Sequence, residues 1–134
     1  MATTSSDHVA YQFLDFETNK KGDFYLAGYE IAGDFRQVIL TPGLRGLAKE
    51  LQIPLTRPED FARDFLEGVR AQQGTVAAYS TAEQNTLMSL LPDERSLLNS
   101  VQYLNLAKAA RVWIKRYKQK EFDALPPLVK SAND

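Results

Sequence analysis

The sequence predicts an α/β domain in which a mixed sheet of about five strands is flanked by helices. Two observations predict this class. Between residues 9 and 40, apolar and aromatic residues tend to alternate with polar ones, as in strands. After residue 42, apolar residues recur at helical spacing, interrupted by two short apolar runs. Strands followed by alternating helices and strands (β-β-β-α-β-α-β-α) indicate a mixed sheet with helices packed on it.

The first three elements are predicted to be strands. They read VAYQFLDFET, FYLAGYEIA and FRQVIL, which are rich in aromatic and β-branched residues. The intervening segments NKKGD and GD contain residues that tolerate the backbone angles of a tight reversal. We therefore expect an antiparallel meander.

The rest of the chain predicts helices separated by two strands. Helices are expected at PGLRGLAKEL, TRPEDFARDFLEGVRAQQG, TAEQNTLMSLL and AKAARVWIKRYKQK. Thr56 and Glu59 have capping-box spacing in the second of these. TVAAYS and VQYLNL predict strands, and the apolar run TVAAYS indicates a buried strand parallel to its neighbours. Sheets of this kind place ligands at the carboxyl ends of their parallel strands.

The length of 134 residues suits one domain. We expect a single domain at residues 9–120, preceded by a disordered tail at residues 1–8. Residues 121–134 contain two prolines and little periodicity, and they predict an irregular C-terminal tail.

Composition excludes several kinds of site. The chain has no cysteine and one histidine, so disulfides, thiolate nucleophiles and Cys- or His-based zinc sites are excluded. The net charge of −1 predicts no general attraction to nucleic acid or to a membrane, so any basic surface must be local. No signal peptide or membrane-spanning run is found, and we expect a soluble, cytoplasmic protein without a membrane partner.

Two carboxylates interrupt the first apolar strand. Side chains alternate along a strand, so Asp15 and Glu17 are predicted to share one face, about 6.6 Å apart, while Leu14 and Phe16 face the core. Two carboxylates on one face repel each other, and a divalent cation such as Mg²⁺ reverses that repulsion. In the alternative interpretation, the strand is half-exposed and both acids simply face water.

A third acid, Glu83, is predicted in the first turn of the helix that follows TVAAYS. This position projects from the carboxyl end of a parallel strand, where sites form. The alternative is structural, because Ser80 and Glu83 have the spacing of a capping box with Ser80 as the N-cap.

The segment FLDFET resembles the first motif of the DEDD 3′–5′ exonucleases, which have a ribonuclease H-like fold. VAAYSTAEQNTL is similar to the second motif of that family, and VQYLNLAKAARVWIKR to its third region. The resemblance covers about residues 9–118. It implies a hydrolase in which two Mg²⁺ or Mn²⁺ ions activate a water that attacks the terminal phosphodiester.

The resemblance also implies roles for individual residues. Asp15 would bridge both ions, Glu17 would hold one, and Glu83 would hold the second directly or through water. Asn105 stands where some branches carry a carboxylate, and it could ligate a metal through its carbonyl oxygen.

The last motif of the family, a His or Tyr followed by an Asp on another helix, has no clear counterpart here. Tyr117 and Glu121 occur too early, and we expect residues 121–134 to carry a truncated form of this motif. The general base is therefore unassigned.

Local basic and aromatic residues suggest a nucleic-acid surface. Lys108, Arg111, Lys115 and Lys118 form one stripe of the last helix, which could follow a phosphate backbone or simply face solvent. Trp113 and Tyr117 are predicted to be buried, whereas Tyr79 is a candidate for stacking on a base. Thr18 belongs to the first motif, and the resemblance implies that it contacts the nucleic acid.

Three functions follow from these residues. The first is a metal-dependent 3′–5′ exonuclease acting on single-stranded ends of DNA or RNA. The second is a catalytically degenerate ribonuclease H-like domain that binds nucleic acid or a protein partner, which Asn105 and the absent last motif favour. The third is an oligomeric structural domain with exposed sheet edges.

Overall fold

The computed structural model describes residues 10–118 together with residues 120, 123 and 124. Its strands form one mixed sheet in the order β3-β2-β1-β4-β5, which confirms the predicted α/β class with about five strands. The strands are β1 (Tyr11–Thr18), β2 (Phe24–Ile31), β3 (Asp34–Ile39), β4 (Thr75–Ala78) and β5 (Gln102–Asn105). The predictions for residues 1–8 and for most of residues 121–134 lie outside the described residues.

The pairing of the strands confirms both the meander and the parallel strands. β1 pairs with β2, and β2 with β3, in antiparallel fashion. β4 lies between β1 and β5 and runs parallel to both. The carboxyl ends of β1, β4 and β5 therefore meet at the same edge of the sheet.

The helices follow the predicted order with one addition. They are α1 (Arg45–Leu51), α2 (Pro58–Ala71), α3 (Ala82–Leu90), α4 (Arg95–Leu98) and α5 (Leu106–Trp113), which continues as a π-helix over Ile114–Lys118. The sequence did not predict α4, because four residues are too few to show a helical period. Every helix in the part of the chain that the structure describes is too short or too polar to form a membrane span.

The predicted capping box at the start of α2 is wrong. The backbone N–H of Thr56 donates to the carbonyl of Ile39 at 2.9 Å, so this residue extends the edge of the sheet instead. Arg57 is the N-cap, and Pro58 begins the helix. Because proline is favoured at the first helical position, the helix starts later than the box requires.

The core lies between one face of the sheet and the helices α2, α3 and α4. β1 contributes Leu14 and Phe16, whose side chains alternate with exposed ones. The amphipathic helix α2 packs its aromatic and aliphatic stripe against them, and the rings of Phe16 and Phe61 meet edge to face at 5.9 Å. The residues of α2 in this core are Phe61, Ala62, Phe65, Leu66 and Val69.

The prediction that Trp113 is buried on α5 is wrong, because 52% of its surface is exposed. Ala107 is the buried residue within Leu106–Trp113. The helix follows β5, the edge strand of the sheet, and therefore has little sheet surface to pack against. The side chains of Tyr117 and Lys118 lie outside the described part of the chain.

Gly74 permits the close approach of the chain before β1 to the start of β4. A Cβ atom at Gly74 would lie 2.0 Å from Gln12 Oε1 and 2.7 Å from the backbone oxygen of Ala10. That oxygen accepts the bond from the Thr75 N–H at 2.7 Å, so it cannot easily move.

We expect Gly74→Ala to lower the free energy of unfolding by about 1–3 kcal/mol, since the added methyl overpacks this junction. Gly46→Ala is the matched control, because Gly46 lies in α1 and an added methyl there would meet no atom within 4 Å. This control should stabilise the protein by about 0.5–1 kcal/mol through helix propensity. Urea denaturation measures both, and equal stability of the two variants would contradict the packing described at Gly74.

Candidate metal and nucleic-acid site

Asp15 and Glu17 lie on the same face of β1, as the alternation in the sequence predicts. Leu14 and Phe16 are buried on the core side, while both acids are exposed on the other. β1 pairs with β2 through Asp15 and Gly28, and the register shifts between Glu17 and Thr18. The two carboxylates therefore stand at the carboxyl end of the strand, where its regular pairing ends.

The two strand carboxyls interact directly. A side-chain hydrogen bond with Asp15 is the main cause that raises the pKa of Glu17, and the charge of Asp15 raises it further. A hydrogen bond between two carboxyl groups requires a proton on one of them. The nearby Asp15 carboxyl therefore favours the protonated form of Glu17.

Glu83 joins this pair from a distant part of the sequence. It lies in the first turn of α3 and is buried, with 7% of its surface exposed. The backbone N–H of Phe16, which lies between the two strand acids, donates to Glu83 Oε2 at 3.5 Å. The charge of Glu83 also contributes to the raised pKa of Glu17. Three carboxyl groups from two elements therefore converge at the end of β1.

The pKa of Glu83 is raised, and burial is the largest cause. Hydrogen bonds from the backbone amides of Phe16, of Glu83 itself and of Ser80 act in the opposite direction, whereas the charge of Asp15 raises the pKa further. Among the described residues, no basic side chain contributes to this shift. Burial and the charge of Asp15 therefore both oppose ionisation of Glu83.

The alternative prediction, a capping box formed by Ser80 and Glu83, is confirmed in part. The Ser80 hydroxyl accepts from the Ala82 N–H at 3.1 Å, but the N-cap residue is Thr81, so the predicted cap at Ser80 is one residue too early. Glu83 accepts a backbone bond from Ser80 as well as the one from Phe16. Its local role in the turn and its contact with β1 therefore coexist.

The donor set at this edge suits a hard divalent cation, because it consists of carboxylate oxygens under mutual repulsion. As the side chains are arranged, however, the described residues contain no group of three or more His, Cys, Asp or Glu that could hold a metal ion. One oxygen of Glu83 accepts the bond from the Phe16 amide at 3.5 Å. Binding of a metal by all three acids therefore requires their side chains to rearrange from the positions seen here.

Asn105 has a different role in the structure from the predicted one. Its Oδ1 accepts from the Lys108 N–H at 2.9 Å, which makes Asn105 the N-cap of α5. In the sheet it pairs with Ala78, which shares the core-facing side of β4 with Val76. Asn105 thus lies on the opposite face of the sheet from Asp15, and its amide oxygen is engaged in capping.

The residues predicted to bind nucleic acid are on the surface but are spread over several elements. Thr18 is exposed at the end of β1, and Tyr79 is half-exposed directly after β4. The Tyr79 carbonyl accepts from the Ala107 N–H at 2.9 Å, which ties the end of β4 to the start of α5. The basic residues Lys108, Arg111 and Lys115 are exposed on α5 and its π-helical continuation.

Sequence reasoning missed two exposed aromatic residues beside the acids. Tyr11 and Phe13 have the same parity as Asp15 and Glu17 along β1 and lie on the same face. The alternation that placed the acids on one face also places these rings there, so the signal was present in the sequence.

The expected last motif adds no assigned residue to the site. Glu121 and the side chain of Tyr117 lie outside the described residues, and Asp123 is exposed. Comparison with family models finds no matching family, and no curated protein or solved structure matches the chain significantly.

Glu83→Gln tests the electrostatics of the site in metal-free buffer, because glutamine keeps a hydrogen-bond acceptor but cannot ionise. Because the pKa of Glu83 is raised in the folded state, the protonated carboxyl contributes stability that is fully present below about pH 4.5. This contribution is lost as the pH rises through the folded-state pKa. At pH 7 we expect the Gln variant to melt at a higher temperature than the wild type, with the difference vanishing below about pH 4.

Thermal unfolding followed by circular dichroism over a pH series from acid to neutral measures this difference. Glu67→Gln, at an exposed position on α2, is the matched control and should leave the profile unchanged. A wild type that is more stable than Glu83→Gln at neutral pH would contradict the assigned direction.

Proposed function

We propose that the protein is a metal-dependent 3′–5′ exonuclease that hydrolyses the terminal phosphodiester of single-stranded nucleic acid. One observation carries the proposal: Glu83, which is 67 residues from Phe16 in sequence, meets the Asp15–Glu17 strand segment through the Phe16 amide. The mixed sheet with flanking helices is compatible with a ribonuclease H-like fold. The resemblance of FLDFET to the first DEDD motif adds further support.

Each acid has a defined part in the proposed site. Asp15, Glu17 and Glu83 would hold Mg²⁺ or Mn²⁺, with Asp15 shared between two ions. When bound, the two ions would supply an activated water and stabilise charge on the attacking and leaving oxygens. The buried Leu14 and Phe16 fix the direction in which both strand acids point. The Phe16 amide fixes the distance of Glu83 from them.

The experiment is hydrolysis of 5′-labelled single-stranded DNA and RNA, read as a ladder that shortens from the 3′ end. We expect products with Mg²⁺ or Mn²⁺ and none after chelation. Asp15→Asn or Glu17→Gln should lower the rate by about 100-fold or more, since each removes an electrostatic group that acts on the reacting phosphate. Asp64→Asn, at an exposed position on α2, is the matched control and should retain activity.

A wild type that leaves both substrates intact with either ion would contradict the exonuclease. Shortening that persists in Asp15→Asn and Glu17→Gln would contradict the assigned residues instead. Far-ultraviolet circular dichroism of each variant shows whether it has folded, so that a loss of structure is not taken for a loss of chemistry.

A second candidate function is a degenerate domain that binds nucleic acid or a protein partner without cleaving anything. Two observations favour it: Asn105 uses its oxygen as a helix cap, and the described acids as arranged do not form a three-ligand set. This candidate predicts that the oligonucleotide or the partner binds with no product, in the presence or absence of divalent ions.

A further inference from the structure

Two aromatic side chains lie open on the face of the sheet that the helical core does not cover. Tyr11 is 45% exposed and Phe13 is 47% exposed. The ring pairs found in the described part of the chain involve other aromatic residues, all packed on the core side. Tyr11 and Phe13 therefore present ring surface to solvent, although burying it in the core would be favourable.

These rings are aligned with the acids. Tyr11, Phe13, Asp15 and Glu17 occupy alternate positions on one face of β1, each about 6.6–6.8 Å from the next along the strand. The neighbouring strand β4 pairs Phe13 with Ala77, and β2 pairs Asp15 with Gly28. The ring of Phe35, on the same face, lies over Gly28 and extends the aromatic surface beside Asp15.

We propose that Tyr11 and Phe13 form a stacking platform for the bases that precede the terminal phosphodiester held at Asp15 and Glu17. This inference rests on the proposed function and assigns it a binding surface. Bases stack on aromatic side chains irrespective of sequence, because every base has a π-face. A strand lying along β1 would place successive bases over successive rings and its 3′ end at the carboxylates.

Charge at the end of the strand agrees with a polyanionic ligand. The β1–β2 turn, directly beyond the acids, carries the exposed Lys20 and Lys21. The aromatic composition of the platform and its continuity with the acids favour nucleic acid over an apolar protein surface. A second copy of the chain is the competing occupant.

The test measures binding separately from cleavage. All variants are made in an Asp15→Asn background, which removes one charge that repels phosphate and blocks the proposed hydrolysis. Fluorescence anisotropy of labelled ten-nucleotide oligo-dT and oligo-rU is recorded in chelator, so that no metal contributes. Phe13→Ala and Tyr11→Ala should each weaken binding by roughly 5- to 150-fold, the range expected for the loss of one stacked base.

Two further variants separate stacking from general apolar contact. Phe13→Leu keeps an apolar side chain but loses the π-face, so it should bind weakly, whereas Phe13→Trp should bind at least as well as the background. Leu51→Ala is the matched control, because Leu51 lies on the helix α1, away from β1, and is 55% exposed. Its affinity should be unchanged. Thermal melting checks that each variant is folded.

Several results would overturn the platform. They are the absence of oligonucleotide binding by the background protein, affinities of the Phe13 and Tyr11 variants equal to that of the background, or an equal loss of affinity in Leu51→Ala. Light scattering that shows a dimer disrupted by Phe13→Ala, with unchanged oligonucleotide affinity, would assign the surface to a second copy instead. If binding depends on the rings but the wild type does not cleave, the platform is retained and the exonuclease proposal fails. If the wild type cleaves but the Tyr11 and Phe13 variants bind with unchanged affinity, the exonuclease proposal is retained and the platform fails.

Discussion

Repulsion among three carboxyl groups at the end of β1 is the constraint on which the functional interpretation depends. Asp15 and Glu17 are held on one face by the strand, and Glu83 is held near them by the Phe16 amide at 3.5 Å. Such an arrangement raises the free energy of the ionised folded state. The Asp15 carboxyl raises the pKa of Glu17, and burial, followed by the charge of Asp15, raises the pKa of Glu83. Backbone donors around Glu83 offset part of this cost. A divalent cation would remove the same cost more completely.

The topology of the sheet determines where that repulsion arises. Because β1 runs parallel to β4, the end of β1 and the start of α3 lie at one edge, although the chain between them is long. The helical core covers one face of the sheet and orients β1 through Leu14 and Phe16. The other face leaves Tyr11 and Phe13 open beside the acids. Because the core covers one face, a ligand would reach the strand acids from the other face, where Tyr11 and Phe13 are exposed.

Local periodicity was sufficient to predict the strands, the shared face of Asp15 and Glu17, and the position of Glu83 after a parallel strand. It could not predict the role of Asn105, since an asparagine after a strand suits a helix cap as well as a ligand, and the choice depends on three-dimensional surroundings. Helical spacing around Trp113 predicts an apolar stripe on the last helix. Such spacing does not show whether another element packs against that stripe. The contact between Glu83 and the Phe16 amide is also non-local, and no short motif encodes it.

Paramagnetic broadening by Mn²⁺ in amide NMR spectra tests most directly whether the three carboxylates form a cation site. At substoichiometric Mn²⁺, we expect the signals of Phe16, Glu17, Ser80 and Glu83 to broaden first, and Asp15→Asn to abolish this effect. Broadening that is absent at millimolar Mn²⁺, or centred on the exposed acids of α2, would contradict a cation site at the end of β1.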